Sequence, residues 1–278
     1  MLTICADGIN RCQPLLIFHG SGKVMKNEGS RYHPDIRVIF NAKAYSSEEV
    51  TLEWLYTDLL PAMSQSSPNL PRLLTLDVFA GQKTLPVLQA MRDNNIISAF
   101  IPEGCTGYVQ PLDTTINKML KDHILEIMDE ELEKNPTLWS PEGSNISELE
   151  NNHDQGHPKL SVIGERRIMI SQAVGKAWKW LHKFHSHNIQ KAFQQCGISV
   201  AANGLEDQKI DIRGIDNKSI NLHGWETGGL YCNLDSTGCT GIGGLNFNDP
   251  DSPEVEEYIS YLATDRIDGS RIYVSSSS

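Results

Sequence analysis

The sequence predicts a mixed α/β fold, because short apolar runs typical of strands alternate with segments of helical periodicity through the first 134 residues. The predicted order is three strands, then helix, strand, helix, strand and helix. The first two strands, Leu2–Ala6 and Pro14–Phe18, flank an Asp7–Gly8 turn and therefore predict a hairpin. With 278 residues, the chain can form one sizeable domain with additions or two small ones.

The other elements of this region follow from apolar spacing and from residues typical of helix ends. A third strand is predicted at Arg37–Phe40. A helix is predicted at Ser46–Leu60, with Ser46 or Ser47 as its cap and Pro61 as its end. The alternation then continues with strand Leu73–Leu76, helix Lys83–Asn94, strand Ile96–Ile101 and helix Pro111–Lys134. We assign residues 1–134 to one α/β unit.

The rest of the chain divides by composition. Residues 135–158 are polar and contain Pro136 and Pro141, which predicts an exposed linker. Residues 159–203 form a basic segment that is strongly helical over Gly164–Cys196, with Gly197 as the C-cap. Residues 204–278 are acidic and rich in glycine and asparagine, so we expect a largely irregular, poorly ordered tail.

The net charge of −11 is unevenly distributed. Residues 200–278 carry 13 acidic and 5 basic residues, whereas Lys159–Lys191 holds seven basic residues against one acid, Glu165. This balance argues against a protein that binds polyanions over its whole surface, but it leaves one basic face available for nucleic acid.

Location and redox state follow from what the sequence lacks. It has no apolar run of about 18 residues and no basic region at its start, so we predict neither a membrane span nor a signal peptide. Six cysteines are scattered without C-x-x-C spacing. They favour a reduced, intracellular protein over a disulfide framework.

Two aspartates suggest a site. Asp77 ends the strand Leu73–Leu76, and Asp113 opens a helix behind a proline, with 35 residues between the two. Carboxylates at a strand end and a helix start can converge above a sheet, and such a pair is the minimum for holding a divalent cation. The alternative is structural, with Asp77 as a turn residue and Asp113 as a helix N-cap.

Basic side chains near these acids suggest contacts with nucleic acid. Asn117, Lys118 and Lys121 follow Asp113 on one helix, where they either contact phosphates or form a solvated face. The second helical segment could lie along DNA through its basic residues, Arg166, Arg167, Lys176, Lys179 and Lys183. Trp178 and Trp180 fit anchors in a core or interface better than platforms for base stacking.

Four motifs resemble the DDE superfamily endonuclease domain of pogo/Tigger-type transposases, a group that includes centromere protein B and jerky-like proteins. They are A-D-G-I-N-R-C-Q-P-L-L-I-F-H-G at 6–20, L-E-W-L at 52–55, L-L-T-L-D at 73–77 and I-P-E-G-C-T-G-Y-V-Q-P-L-D-T-T-I-N-K-M-L-K at 101–121. Weaker similarity at 166–169, 177–178 and 193–198 extends the resemblance to roughly residues 1–200.

The resemblance implies an RNase H-like fold in which three carboxylates hold two divalent ions, Mg²⁺ or Mn²⁺. Asp77 matches the second of these acids and Asp113 the third. The first acid lies, in the family, on a strand before the A-D-G hairpin, and this sequence begins inside the strand that leads into that hairpin. Gln82 stands where many relatives have a histidine.

The missing strand is the central one of the RNase H sheet, so we expect an N-terminally truncated domain with unpaired backbone along the neighbouring strands. The resulting hypothesis is a nuclear, transposase-derived, DNA-binding domain that is catalytically inactive as written. One alternative is an active transposase in a longer native chain. Another is a domesticated interaction or regulatory protein without DNA binding, which uses the acidic tail and the basic helix for protein contacts. Self-association or protein partners through the helical segment are also expected.

Overall fold

The computed structural model describes residues 1–23, 26–64, 70–77, 79–138, 160–215 and 271–276. Within these residues the strands are β1 (Leu2–Cys5), β2 (Leu15–His19), β3 (Arg37–Asn41), β4 (Arg72–Asp77), β5 (Ile96–Ile101) and β6 (Arg271–Ser276). The α-helices are α1 (Lys26–Gly29), α2 (Glu48–Trp54), α3 (Leu60–Ser64), α4 (Leu85–Asp93), α5 (Thr106–Val109), α6 (Asn117–Lys134), α7 (Val162–Phe184) and α8 (Ser186–Gln195). Two π-helical turns lie at Leu55–Leu59 and Leu112–Ile116. The predicted mixed α/β class is confirmed.

Four strands form one sheet in the order β1-β6-β4-β5, and β2 and β3 form a separate parallel pair. β6 runs antiparallel to β1 and parallel to β4, with Val274 opposite both Ile4 and Thr75. The prediction that the place beside β1 and β4 is open is therefore wrong, because β6 fills it. The tail predicted to be largely irregular over 204–278 contains a strand at 271–276, and residues 216–270 and 277–278 lie outside the described part.

The predicted hairpin of the first two strands is wrong as a strand pair, because β1 pairs with β6 and β2 pairs with β3. The Leu15 N–H still donates to the Met1 carbonyl at 3.0 Å. The predicted turn at Asp7–Gly8 forms, since the Gly8 N–H donates to the Cys5 carbonyl at 2.8 Å. The longer connection that follows is held by an ion pair of 2.6 Å between Asp7 and Arg11.

The helix predicted at Ser46–Leu60 forms, but it does not end at Pro61. Ser47 caps it by accepting the Val50 N–H at 3.4 Å, and Pro61 lies inside α3. The π turn at Leu55–Leu59 immediately precedes α3. Since a π turn already takes the hydrogen-bond ladder out of its usual register, the N–H that Pro61 lacks does not stop the helix.

The second helical region is divided. A break at His185 separates α7 from α8, where the sequence predicted one continuous segment. Gly197 ends α8 with a φ of 74°, a left-handed conformation that favours glycine, so the predicted C-cap is confirmed. None of the helices in the described ranges is both long and apolar enough to cross a membrane.

Two hydrophobic cores lie on opposite faces of β1. The first core joins β1, β4 and β5 to the α2–α3 region and α4, and its largest buried side chain is Trp54. The second core joins β1 to the Leu112–Ile116 turn, α6, α7 and α8, and it includes Trp178 and Phe193. Ile4 belongs to the second core and its neighbour Cys5 to the first, because successive strand residues point to opposite faces.

Candidate functional site

Asp77 is the last residue of β4 and lies at one edge of the sheet. In the register it pairs with Ile101, the last residue of β5, and β6 ends at the same edge with Leu76 opposite Ser275. Because β4, β5 and β6 are parallel, their carboxyl ends meet there, at the edge where α/β proteins commonly bind ligands. The side chain of Asp77 is half-buried.

Asp113 lies in the π turn that begins the long helix α6. Leu112 and Ile116 of this turn are fully buried in the second core, which fixes its orientation and leaves Asp113 half-buried. Asn117 is 5% exposed, and its Nδ2 donates to Asp113 Oδ1 at 2.6 Å. The amide therefore orients the carboxylate. This is a different task from the phosphate contact that the sequence suggested for Asn117.

β6 is the neighbour that the two acid-bearing elements share. It pairs with β4 along Arg72–Leu76, and it also contacts the Leu112–Ile116 turn. The strand that ends in Asp77 and the turn that holds Asp113 thus border the same short strand. The sheet edge and the start of α6 are brought together by a segment from the far end of the sequence.

Lys118 and Lys121 are exposed on α6, close to Asp113. Helices α6 and α7 pack antiparallel, since His123 stacks on Trp180 with ring centroids 4.1 Å apart and Lys176 Nζ lies 3.7 Å from Glu131 Oε1. The first turns of α6 therefore lie beside the last turns of α7. This places Lys118, Lys121 and Lys183 at the same end of the helix pair as Asp113.

Arg167, by contrast, forms an ion pair with the buried Glu28 near the start of α7. Its Nε and Nη2 donate to the two carboxylate oxygens of Glu28 at 2.7 and 2.9 Å, and the Tyr32 hydroxyl donates to Glu28 at 2.6 Å. Burial alone would raise the pKa of Glu28, but the hydrogen bonds from Arg167 and Tyr32 lower it below its ordinary value. Burial and the adjacent Glu28 raise the pKa of Tyr32 to about 12. Glu28 was missed in the sequence, because α1 is only four residues long and shows no apolar periodicity.

The other basic residues of α7 differ in their contacts and in their exposure to solvent. Arg166 Nε donates to the Leu138 carbonyl at 2.8 Å. Lys176, Lys179 and Lys183 are exposed, and Lys183 Nζ lies 4.9 Å above the ring of Phe184, which is 57% exposed. The basic run of the sequence therefore separates into arginines held by protein groups and lysines that reach solvent.

The two tryptophans are packing anchors in the structure. Trp178 is fully buried in the second core, and its Nε1 donates to Asn10 Oδ1 at 3.0 Å. Trp180 lies between His123 and His185, at centroid distances of 4.1 and 4.2 Å. Its ring already has two aromatic neighbours, which does not suit a platform for stacking a base.

Gln82, five positions after Asp77, is fully buried. Its Nε2 lies 3.9 Å from Met1 Sδ, and its Oε1 has no hydrogen-bond partner among the described residues. Met1 packs against the first core, so the Gln82 side chain lies against that core. The structure gives this residue a packing position.

The acids that the structure describes do not fit a two-metal centre held by three carboxylates. No group of three or more His, Cys, Asp or Glu residues in the described ranges is arranged to hold a metal ion. Asp77 and Asp113 supply two carboxylates, and one oxygen of Asp113 accepts the Asn117 amide. Two hard oxygen donors can contribute to a single divalent cation, with water completing its shell.

Comparison with known proteins identifies the family of this chain. No curated protein and no solved structure matches the chain. The family model described as DDE superfamily endonuclease matches residues 1–193. The match contains Asp77, Asp113, the whole of α6 and α7 and most of α8, and it ends well before β6 begins at Arg271. Because the match covers more than half of the chain, the chain belongs to the DDE superfamily endonuclease family.

Proposed function

We propose that this chain is a transposase-derived, DDE endonuclease-like domain that binds DNA and does not cut it. The observation that carries the proposal is the arrangement at one end of the molecule. The strand that ends in Asp77 and the turn that holds Asp113 both contact β6, exposed lysines follow Asp113 on α6, and no third acidic ligand completes the site among the described residues. The same end is thus suited to hold a phosphate backbone and poorly suited to cleave one.

The proposed assignment to one group within the family depends on the motif around Asp113. The run Q-P-L-D-T-T-I-N-K at 110–118 supports assignment to the pogo/Tigger group, and a mixed sheet with helical cores on opposite faces of β1 supports an RNase H-like fold. A domain of this descent would act on chromosomal DNA, so the proposal includes a nuclear location. A tagged full chain that is excluded from nuclei would contradict that part.

The proposed DNA-binding surface consists of exposed lysines on two helices. Lys118 and Lys121 come from α6, and Lys179 and Lys183 come from α7. An ammonium group on a flexible stem can follow a phosphate backbone without a fixed geometry. Lys176, Arg166 and Arg167 would contribute only by giving up contacts with Glu131, the Leu138 carbonyl and Glu28.

The acids have a smaller proposed task. The family generally uses divalent metal ions, and Asp77 and Asp113 are the residues of this chain that would take part in holding Mg²⁺ or Mn²⁺. With two carboxylates the site would bind one ion weakly, and we assign it no catalytic step. Its remaining role would be to screen the acids from DNA phosphates when an ion is bound.

A salt titration of DNA binding tests the lysine surface. The full chain is titrated onto a fluorescent 30-base-pair duplex between 50 and 200 mM salt, and the slope of log affinity against log salt is measured. Replacing Lys118, Lys121, Lys179 and Lys183 by alanine should reduce the slope by about 3 to 4, since each phosphate contact contributes about 0.9. The control is Lys134→Ala, which removes an exposed lysine from the other end of α6.

Two results would contradict this proposal. A chain that shows no salt-sensitive retention of duplex DNA is not a DNA-binding domain, and a regulatory protein that binds other proteins would then explain the fold better. If the Lys134→Ala variant loses as much affinity as the fourfold variant, the lysine surface is wrongly placed, even though the chain binds DNA.

A further inference from the structure

The middle of the four-stranded sheet is supplied by a segment that lies outside the family match. The match ends at residue 193, whereas β6 spans Arg271–Ser276. β6 is hydrogen-bonded on both sides, over Leu2–Cys5 of β1 and over Arg72–Leu76 of β4. A strand from the far end of the chain thus joins two strands that belong to the family domain.

We propose that β6 is a complementing strand. In this proposal β1 and β4 border a strand-binding slot, and residues 271–276 of the same chain occupy it. Occupancy of the slot determines whether the sheet is continuous and whether the elements bearing Asp77 and Asp113 share a neighbour. The slot is a binding site for an extended peptide strand, and its resident ligand is the chain's own C-terminal segment.

The sheet order explains why the slot must be filled. β1 and β4 each pair with β6 and are not neighbours in the sheet, so removal of β6 separates β1 from the β4–β5 pair. The residues that border the slot are buried, with Ile4 and Cys5 on β1 and Leu74 and Leu76 on β4 at 0 to 3% exposure. Backbone N–H and C=O groups in such surroundings are costly to leave without hydrogen bonds.

The geometry of the slot selects the direction of its ligand. A strand there must run antiparallel to β1 and parallel to β4, as β6 does. Backbone hydrogen bonds supply affinity for any extended strand, and side chains at alternate positions supply specificity. The fitting ligand is therefore a short extended segment of the type R-I-Y-V-S-S, the sequence of β6.

Disulfide trapping in the full chain tests the pairing. Tyr273 is the Cα partner of Cys5 across the antiparallel β1–β6 pair. Such partners lie about 4.5 to 5.5 Å apart, within the range that a disulfide spans. On mild oxidation, the Tyr273→Cys variant should therefore form a disulfide between Cys5 and the thiol introduced at position 273. A peptide mass map of the monomer band from a non-reducing gel would show this link.

The matched control is Val274→Cys, which stands opposite Ile4 and should not link to Cys5. The unmodified chain, oxidised in parallel, sets the background from its six cysteines. If the link from Cys5 to position 273 is absent, or no more abundant than the link in the control variant, the proposal is overturned. A link found in dimers would also overturn it, because the strand would then come from a second copy.

A proline variant with peptide rescue tests the slot as a binding site. Val274→Pro removes a backbone donor in the middle of β6. In hydrogen exchange of the full chain, amides at 2–5 and 72–77 should exchange at least tenfold faster than in the unmodified chain, with 15–19 and 37–41 unchanged. A synthetic peptide of residues 269–278 should restore the protection, and the same peptide with the proline should not.

Ser278→Pro, two residues beyond β6, is the matched control and should leave exchange unchanged. Unchanged protection of both segments in Val274→Pro would overturn the proposal. If that variant instead unfolds throughout, rescue by the peptide supports the slot, and failure of rescue counts against it.

Discussion

Basic residues have different surroundings at the two ends of helix α7. Near its start, Arg167 is enclosed with Glu28, and the two side chains are 17% and 4% exposed. Near its end, Lys179 and Lys183 reach solvent beside the lysines of α6. The sequence presents both groups as one basic run. The structure therefore divides this run between an arginine paired with a carboxylate and lysines exposed to solvent.

The largest expected effect is on stability, at the enclosed end. Arg167→Ala should lower the free energy of unfolding by about 3 to 5 kcal/mol, because it leaves Glu28 buried without its cation. Urea denaturation measures the change. The matched control is Arg31→Ala, which breaks an exposed ion pair with Glu165 and should cost at most about 1 kcal/mol. Equal losses of unfolding free energy in the two variants would show that the enclosed pair stabilises the fold no more than an exposed ion pair does.

The enclosed pair also predicts how stability depends on pH. The pKa of Glu28 is lowered below its ordinary value of 4.5, so its contribution is present above about pH 4.5 and is lost as the pH falls through the lowered value. Glu28→Gln should therefore be less stable than the unmodified chain at pH 7, and the difference should shrink in acid. Thermal melts from pH 7 to pH 3 measure it, and a difference that grows in acid would contradict the assignment.

A smaller effect is expected at the site itself. Asn117→Ala removes the amide that donates to Asp113, and a hydrogen bond to a half-buried carboxylate contributes about 1 to 2 kcal/mol. Denaturation of the variant should show a loss of that size. Asn135→Ala, at the exposed far end of the same helix, is the control and should change stability by less than about 0.5 kcal/mol.

The smallest effect on stability is expected at the exposed lysines. Lys179→Ala and Lys183→Ala should each change the free energy of unfolding by less than about 0.5 kcal/mol. Their consequence should appear in DNA affinity instead. A lysine variant that unfolds as readily as Arg167→Ala would show that the exposed end also has a structural role.

The local elements were predictable because their determinants are local. The apolar runs of β4 and β5, the serine that caps α2 and the glycine that ends α8 each lie within a few residues of the structure they specify. The Arg167–Glu28 pair was not predictable, since its partners are 139 positions apart and Glu28 lies in a stretch without periodicity. The two π turns were missed because they change the hydrogen-bond ladder without altering the pattern of apolar residues.

β6 was even harder to predict, because its contacts are with residues still farther away in the sequence. Its run R-I-Y-V stands alone in an acidic region, and its pairing partners lie about 200 and 270 positions away along the chain. The family resemblance led to the expectation of unpaired backbone beside β1 and β4. Nothing in the sequence indicated that residues 271–276 lie there. The role of Asp77 and Asp113 in a site was inferred from their motifs and stays a prediction, whereas β6, which borders both elements that carry them, could not be inferred from local sequence.

One gel measurement tests the central claim, that the chain binds DNA without cutting it. Supercoiled plasmid is incubated with the full chain at 50 mM salt and 5 mM Mn²⁺. One half of each sample is run directly, and the other half is run after protein digestion. We expect a retarded band in the first half and intact supercoiled plasmid in the second. Nicked plasmid that disappears with Asp77→Asn, or no retardation at all, would contradict it.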